Sequence, residues 1–230
     1  MKVAFLVPST SNGRNWNNFR ETYLNTILLP SITKLTNSFE IDVYIGIDED
    51  DRLYSNISLP DKYDNINLTW IKMSKEHKGK PTWIWNCLAD YAIGYDNHDY
   101  IQVCGDDISF DKRTEWLGIF LKEMRKKNNI GYVAGYSNNE DIPTQFLLHR
   151  KHYDTFKWIF PEQIHAWFCD DFLYNLYGWK GTWLKEYQHL NLGGQPRYVP
   201  KDDKKLCEML VKRHKSTVNR LINNTNHSDS

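Results

Sequence analysis

Two adjacent carboxylates, Asp106 and Asp107, are well placed in this sequence to do chemistry. They stand in the segment IQVCGDDISF, where an apolar run ends just before Gly105. A hard divalent cation such as Mg²⁺ binds carboxylate oxygens, and it typically takes only one or two of them from protein, which leaves its other positions to phosphate and water. The pair therefore has the chemistry of a site for a metal ion and a phosphorylated ligand.

A second pair of aspartates, Asp170 and Asp171, begins a predicted helix in FCDDFLYNLY. The dipole of a helix keeps a carboxylate at its N-terminus ionised, and an ionised carboxylate can accept a proton from a hydroxyl group. One of the two can also act as the helix N-cap, and both roles can hold together. The sequence leaves the choice of base open between them, and we favour Asp171.

The spacing of apolar residues predicts strands that alternate with helices. The predicted strands are 2–7, 41–47, 66–73, 100–104, 130–135, 144–149 and about 182–187. The predicted helices are 17–36, about 82–94, 113–128, a short one after 149, FCDDFLYNLYG and about 202–222. Such alternation implies an α/β fold with a mostly parallel central sheet flanked by helices. We predict a single Rossmann-like domain over 1–200, followed by a C-terminal helix and polar tail over 201–230.

Polar clusters follow three of the predicted strands. They are Pro8-Ser9-Thr10, the acidic run from Asp48 to Asp51, and Asp106-Asp107. Ligands of such folds bind at the carboxyl ends of the strands, so we expect these clusters to lie together. Acidic residues after strands are also common turn formers and helix caps, and this plainer interpretation stays open for Asp48 to Asp51.

The charge of the chain excludes one class of partner. Lys+Arg and Asp+Glu are equal at 29 each, so the net charge is zero over 230 residues. No global basic field exists to attract a phosphate backbone, and we expect no nucleic-acid partner.

The sequence also bears on compartment. The apolar run before Pro8 is too short for a signal peptide, and no stretch approaches the roughly 18 to 20 apolar residues of a membrane span, so we expect a cytoplasmic protein. The four cysteines are widely spaced and form no Cys-x-x-Cys pair, which favours reduced structural thiols.

Taken in order, five segments resemble those of nucleotide-diphospho-sugar glycosyltransferases of the GT-A fold. The segments are VAFLVPST, VYIGIDEDD, YIQVCGDDISF, WFCDDFLYNLY and HLNLGGQPRY, and the resemblance covers roughly residues 2–200. It is nearest to compact viral and bacterial enzymes similar to the large inverting family 2. It implies a GT-A domain that uses Mn²⁺ or Mg²⁺ to move a sugar from a nucleotide-diphosphate sugar, with a UDP-sugar favoured. The acceptor would be a hydroxyl group of a glycan or another molecule. Inversion is favoured, while retention stays open.

The resemblance also implies individual roles. Asp107 would bind the metal, Asp106 would approach the ribose or a metal-bound water, and His189 would complete the metal shell. Asp170 or Asp171 would supply the base. The candidate nucleoside pocket comprises Pro8, Ser9, Thr10 and Asp48, with Asp50 from the same acidic run.

Three further residues could meet the diphosphate. Gly105 lets a ligand approach the backbone. Gly193-Gly194 permits a flap, and Arg197 on that flap could clamp the diphosphate with two hydrogen bonds. Lys80 is a third candidate, although a solvated loop is the plainer interpretation of its surroundings.

This sequence departs from the family pattern at both acidic pairs. No acid stands two positions before Asp107, and the second pair is Asp-Asp where many relatives have Glu-Asp. Three other functions were weighed. A template-directed polymerase also uses Gly-Asp-Asp, but it places the motif in a hairpin and needs a longer chain with a basic channel. A sugar-phosphate nucleotidylyltransferase shares the sheet, but its Gly- and Arg-containing loop is only faintly present in PSTSNGRNW. A non-catalytic carbohydrate-binding module would account for the tryptophans and not for the acids.

Overall fold

The structure is a computed structural model that describes residues 1–193 and 203–226. Ten strands occur in this part of the chain. They are β1 Lys2–Ser9, β2 Glu40–Asp48, β3 Lys62–Tyr63, β4 Ile66–Met73, β5 Tyr100–Val103, β6 Ile108–Ser109, β7 Val133–Tyr136, β8 Leu147–His149, β9 Thr182–Gln188 and β10 Leu190–Asn191.

Eight of these strands form one sheet, in the order β3-β4-β2-β1-β5-β8-β7-β9. The central strands β4, β2, β1 and β5 run parallel to one another. Strand β8 is antiparallel to β5 and β7, and β3 is antiparallel to β4. The two short strands β6 and β10 pair separately and antiparallel. The prediction of an α/β fold with a mostly parallel, helix-flanked sheet is therefore confirmed.

Six α-helices accompany the strands over the described ranges. They are α1 Leu29–Ile32, α2 Pro81–Ala89, α3 Trp116–Lys126, α4 Lys151–Phe156, α5 Cys169–Tyr177 and α6 Lys204–Asn226. Shorter 3-10 turns cover Phe19–Glu21, Thr33–Asn37, Lys75–His77 and Gly178–Lys180, and π-helical turns cover Leu24–Leu28 and Asp90–Tyr95. None of the helices within 1–193 and 203–226 has the length and apolar character needed to cross a membrane.

The predicted continuous helix over 17–36 is wrong in detail. The chain there passes through a 3-10 turn, a π-helical turn, α1 and a second 3-10 turn. Pro30 has no N–H to donate to the carbonyl one turn earlier, which disturbs a regular α-helical ladder. Hydroxyl groups also bond to carbonyls of the preceding turn, as Thr26 does to Thr22 and Thr33 to Leu29, each within 2.9 Å. Such side-chain bonds bend helices and favour irregular turns.

Strand β1 shows why the sheet is buried on both faces. Its residues Val3, Phe5 and Val7 pack into one core, with the irregular helix after β1 and with α3. The alternate residues Ala4 and Leu6 pack into a second core, with α2, α5 and α6. Successive side chains of a strand point to opposite faces, so a run of apolar residues is what a strand between two helical layers requires. The arrangement leaves the carboxyl ends of the parallel strands as the accessible edge.

Candidate active site

A cavity of about 220 Å³ lies at the carboxyl ends of β1 and β5. Its walls come from both strand ends, from the start of α2 and from the start of α5. The lining residues are Pro8, Pro81, Trp85, Val103, Gly105, Asp106, Asp107, Ile108, Gln145, Asp170 and Asn191. The fold therefore brings one aspartate of the second acidic pair to the first pair, although the two pairs are far apart in sequence.

Asp106 is held in place from the end of the neighbouring strand. Its side chain is buried, with 3% of the residue exposed. The hydroxyl of Ser9, the last residue of β1, donates a hydrogen bond of 2.6 Å to Oδ2 of Asp106. The same hydroxyl lies 2.8 Å from the hydroxyl of Tyr54. Ser9 thus contributes to the site by fixing a carboxylate.

Asp107 lies between two glycines. A Cβ atom on Gly105 would come within 2.7 Å of Oδ1 of Asp107, and one on Gly193 would come within 1.9 Å of Oδ2. The backbone N–H of Leu192 also donates to the carbonyl of Asp107 at 2.9 Å. The segment that follows β10 is thereby packed on Asp107, and both carboxylate oxygens face backbone that carries no side chain.

These two aspartates fit a divalent cation of the Mg²⁺ type, which needs only one or two protein carboxylates when a substrate supplies phosphate oxygens. The two glycines form a cradle around Asp107, because a side chain at either position would displace its carboxylate. Within the described ranges, no group of three or more His, Cys, Asp or Glu residues is arranged to hold a metal. The two carboxylates therefore fit a metal site in which a bound phosphorylated ligand supplies further oxygens to the metal.

His189 lies elsewhere. Its ring is fully buried, with centroids 4.6 Å from Phe110, 4.7 Å from Trp116 and 5.1 Å from Phe120. Among residues 1–193 and 203–226, both ring nitrogens lack a hydrogen-bond partner, and burial lowers the pKa of His189 to about 3. The ring does not line the cavity of Asp107. The expected third metal ligand is therefore enclosed by the aromatic residues of the α3 side instead.

Asp170 lines the cavity, and Asp171 does not. Burial, followed by the charge of Asp171, raises the pKa of Asp170 to about 7. The charge of Asp171 adds to burial in raising the pKa of the Cys207 thiol to about 11. The preference for Asp171 as the base does not agree with this placement, which depends on how α5 is rotated against α6.

Neither aspartate is the N-cap of α5. The N-cap is Phe168, in the left-handed conformation at φ 67°, and its side chain makes no capping bond. Asp170 and Asp171 both lie in the first helical turn. Both carboxylates therefore lie near the positive end of the helix dipole, and neither serves as the N-cap.

The predicted nucleoside residues have several different surroundings. Pro8 lines the cavity. Thr10 donates to the buried carboxylate of Asp51 at 2.9 Å. Asp48 accepts a 3.2 Å bond from the side chain of Asn12. Asp50 is exposed and forms a 2.8 Å ion pair with Lys78, so it is directed away from the cavity into a surface contact.

The predicted phosphate ligands outside the cavity are Lys80 and Arg197. Lys80 directly precedes Pro81 of the cavity wall, and its ammonium lies 3.5 Å from the centroid of the Trp83 ring. Arg197 lies outside the described residues, as does Gly194.

Trp85, Gln145 and Asn191 line the cavity and were not predicted as site residues. The indole N–H of Trp85 contacts two backbone carbonyls, those of Leu6 at 3.1 Å and Cys104 at 3.2 Å, and so ties α2 to the ends of β1 and β5. Gln145 has a positive φ of 57°, and its carbonyl accepts a 2.6 Å bond from Gln102. No local sequence signal marks Gln145, because its place depends on this contact with β5.

The sequence matches no family model and no curated protein. The structure is similar to that of S. aureus TarS, with a TM-score of 0.59 and 14% identity over 93% of this chain and 39% of that chain. A structure of S. aureus TarS 1-349 gives a TM-score of 0.55 and 15% identity over 82% of this chain and 60% of that chain. A Bacillus anthracis protein described as a glucose-1-phosphate thymidylyltransferase, in complex with a sucrose, gives 0.55 and 12% over 80% of this chain and 85% of that chain.

These similarities concern the fold. This chain spans about two fifths of the full TarS chain and three fifths of the shorter one. The shared architecture is a GT-A-like fold, and the resemblance expected from the five sequence segments is confirmed at the level of the fold.

Proposed function

We propose that this chain is an enzyme that uses a nucleotide-diphosphate sugar and transfers the sugar to a hydroxyl group of a glycan or another acceptor. The observation that carries the proposal is that Asp106, Asp107 and Asp170 line one cavity at the carboxyl ends of the strands. A transfer of this kind needs a place for a metal-bound diphosphate and a carboxylate that accepts a proton. The cavity offers both.

The fold supports the same proposal. TarS, which gives the highest TM-score reported above, is a GT-A glycosyltransferase. In open α/β sheets, ligands bind in the crevice beyond the carboxyl ends of the strands, and this is where the cavity lies. A UDP-sugar remains the favoured donor from the sequence resemblance.

In the proposed site, Asp107 and Asp106 would hold Mn²⁺ or Mg²⁺. The chemistry that such a cation supplies is neutralisation of the charge that grows on the leaving diphosphate. Ser9 keeps the Asp106 carboxylate oriented, since its hydroxyl donates to Oδ2 at 2.6 Å. The Asp107 carboxylate fits closely against Gly105 and Gly193, where a side chain on either glycine would collide with it. His189 has no place in this arrangement.

Asp170 would be the base. With a pKa near 7, its carboxylate is partly ionised at neutral pH and has the proton affinity that general-base catalysis favours. The acceptor oxygen forms a bond to the anomeric carbon while the bond from that carbon to the diphosphate breaks. The hydroxyl proton passes to Asp170, and the nucleoside diphosphate leaves. A single displacement of this kind inverts the anomeric centre.

The test is release of UDP or GDP from a panel of nucleotide-sugars in the presence of Mn²⁺ or Mg²⁺. A thermal-shift screen of the same panel selects the donor first, because a bound ligand raises stability according to its affinity. We expect Asp107→Asn and Asp170→Asn each to reduce turnover by at least about a hundredfold, in the range of losing a general base or a metal ligand. Asp154→Asn removes an exposed carboxylate paired with Arg150 and should leave turnover unchanged. Full turnover in both site variants would disprove the proposal.

A second candidate is a sugar-phosphate nucleotidylyltransferase. The observation that favours it is the similarity to the Bacillus anthracis protein, of which this chain covers 85%. The two reactions differ in product, because a nucleotidylyltransferase releases pyrophosphate from a nucleoside triphosphate and a sugar 1-phosphate. Incubation with UTP or dTTP and glucose 1-phosphate, followed by a pyrophosphate assay, separates the two. Pyrophosphate without any nucleoside diphosphate release would favour the second candidate.

A further inference from the structure

A second and larger cavity, of about 630 Å³, lies between the loop that follows β1 and the loop that follows β2. It shares no lining residue with the Asp106–Asp107 cavity. Its volume is within the range of small-molecule sites, roughly 300 to 1,000 Å³. Its polar lining is dominated by amides and guanidinium groups: Asn12, Arg14, Asn15, Asn17, Arg52 and Asn56.

The two walls of this cavity are tied together by one buried carboxylate. Asp51 is fully buried, and it accepts bonds of 2.6 Å from both the backbone N–H and the hydroxyl of Ser11. It also accepts hydrogen bonds from the backbone N–H groups of Leu53 at 3.0 Å and Tyr54 at 2.9 Å. A buried carboxylate with several hydrogen-bond donors resists rearrangement, because losing a donor leaves a buried charge with fewer hydrogen bonds. The cavity is therefore built into the fold.

Arg14 is positioned without an acidic partner. Its guanidinium carbon lies 4.6 Å from the ring centroid of Tyr23 and 5.8 Å from that of Trp16. Its Nε is buried and has no hydrogen-bond partner within the part of the chain that the structure describes. Among residues 1–193 and 203–226, neither Arg14 nor Arg52 forms an ion pair. Stacking on aromatic rings holds the cation while leaving donors for a ligand.

The charged side chains that line the cavity are two arginines. The nearby acids have other partners: Asp48 accepts from Asn12, Asp50 pairs with Lys78, and Asp51 binds the loop backbones. An arginine offers paired N–H donors that match the oxygens of a phosphate. Asparagine amides can both donate to and accept from hydroxyl groups, and Trp16 adds a flat apolar face.

We propose that this cavity binds a phosphate-bearing sugar or polyol, and that this ligand is the acceptor; the second statement rests on the proposed function. Pro8 lines the small cavity and Ser11 lines the large one. Three residues of chain span at most about 11 Å, so a ligand somewhat longer than one sugar can reach from one cavity to the other. The phosphate group anchors in the large cavity, and a hydroxyl group extends toward Asp170.

The test is calorimetric titration with glucose 6-phosphate, glucose and inorganic phosphate. The proteins are the wild type, Arg14→Gln, Arg52→Gln and a control, Arg20→Gln, which removes the same charge from an exposed side chain outside the cavity. We expect the wild type to bind glucose 6-phosphate more tightly than either of the other two compounds. Each cavity variant should weaken that binding roughly tenfold or more, the effect of one lost charge-assisted hydrogen bond, and the control should not. Arg52 is exposed, so its variant should fold normally even if the Arg14 variant does not.

Titration with UDP and Mn²⁺ separates this proposal from the proposed function. We expect UDP binding to be unchanged in the two arginine variants and to be weakened in Asp107→Asn, which should still bind glucose 6-phosphate. No binding of glucose 6-phosphate at millimolar concentration would overturn the cavity proposal. So would equal affinity for inorganic phosphate, or a loss of UDP binding in the arginine variants, which would make the cavity part of the nucleotide site.

Discussion

The hydroxyl of Ser9 donates to Oδ2 of Asp106 at 2.6 Å and thereby joins the end of β1 to the acidic pair after β5. Ser9→Ala removes a hydrogen bond to a buried carboxylate, so we expect a loss of about 1 to 3 kcal/mol in the free energy of unfolding. Turnover should fall as well, because Asp106 loses its orientation. Urea unfolding and nucleotide release measure the two effects. The control is Ser55→Ala, whose exposed hydroxyl makes only a 3.3 Å bond to Glu49, and an equal loss there would contradict the prediction.

The raised pKa of Asp170 predicts how activity depends on pH. Below pH 7 this carboxyl group is mostly protonated and cannot accept a proton, so turnover should rise with pH through about 7. The measurement is a profile of kcat/KM from pH 5.5 to 8.5, because this ratio reports the pKa values of the free enzyme. A profile that is flat across pH 7 would show that a group other than Asp170 accepts the proton.

The same shift predicts the pH dependence of stability. An ordinary Asp has a pKa near 3.9, so between about pH 4 and pH 7 the folded protein holds a proton that the unfolded chain has released. The Asp170 contribution to stability is therefore present at low pH and is lost as pH rises toward 7. Asp170→Asn should remove this decline and raise the free energy of unfolding at pH 8 by up to about 4 kcal/mol. Urea unfolding of both proteins at pH 5 and pH 8 tests the sign.

His189 gives a prediction that separates a metal ligand from a core residue. We expect His189→Leu to retain Mn²⁺-dependent turnover, because the ring is enclosed by aromatic side chains and its nitrogens have no hydrogen-bond partner among the described residues. A smaller apolar side chain also avoids overpacking. A loss of turnover with Mn²⁺ affinity weakened in a direct titration would restore His189 as a ligand.

The lowered pKa of His189 also affects acid stability. The unfolded chain takes up a proton near pH 6.5, while the folded protein resists it down to about pH 3. Stability is therefore lost as pH falls below 6.5, and the His189 share of that loss at pH 5 is about 2 kcal/mol. The Leu variant should lose less stability than the wild type between pH 7 and pH 5. An identical decline in both would contradict the burial of this ring.

Gly193 offers a test of the cradle around Asp107. A Cβ at this position would lie 1.9 Å from Oδ2 of Asp107, so Gly193→Ala must displace the carboxylate or the loop. We expect metal-dependent nucleotide binding to weaken about tenfold or more with little change in global stability. Gly118→Ala is the matched control, because a Cβ there meets Phe39 at an ordinary 3.5 Å and a helical alanine adds up to about 1 kcal/mol. Unchanged nucleotide binding in Gly193→Ala would contradict the cradle.

Much of the fold follows from local pattern. The apolar alternation of β4 predicted Ile66–Met73 with its observed bounds, and the apolar runs of β1 and β2 predicted strands that proved a residue or two longer. The strands β6 and β10 have two residues each, which is too short for a periodic pattern of apolar residues in the sequence. The region around α1 differs because Pro30 and hydroxyl-to-carbonyl bonds replace the regular helical ladder.

Part of the candidate site also follows from local sequence pattern, and part depends on tertiary contacts. The two acidic pairs were found from sequence because each follows a strand or begins a helix. The choice of Asp170 over Asp171 depends on the rotation of α5 against α6, which is a tertiary property. His189 was assigned from its neighbours in sequence, yet its surroundings are Phe110, Trp116 and Phe120, which lie far from it along the chain.

Asp51 has a wider consequence for the binding edge. Surface loops usually open locally at little free-energy expense, independently of one another. Here the backbone N–H groups of Ser11, Leu53 and Tyr54 converge on the buried carboxylate of Asp51, so separating the two loops would break both bonds from Ser11. The loops after β1 and β2 therefore form one cooperative unit. A ligand that binds against these loops contacts walls that are already ordered, so its binding carries only a small free-energy cost for ordering the protein.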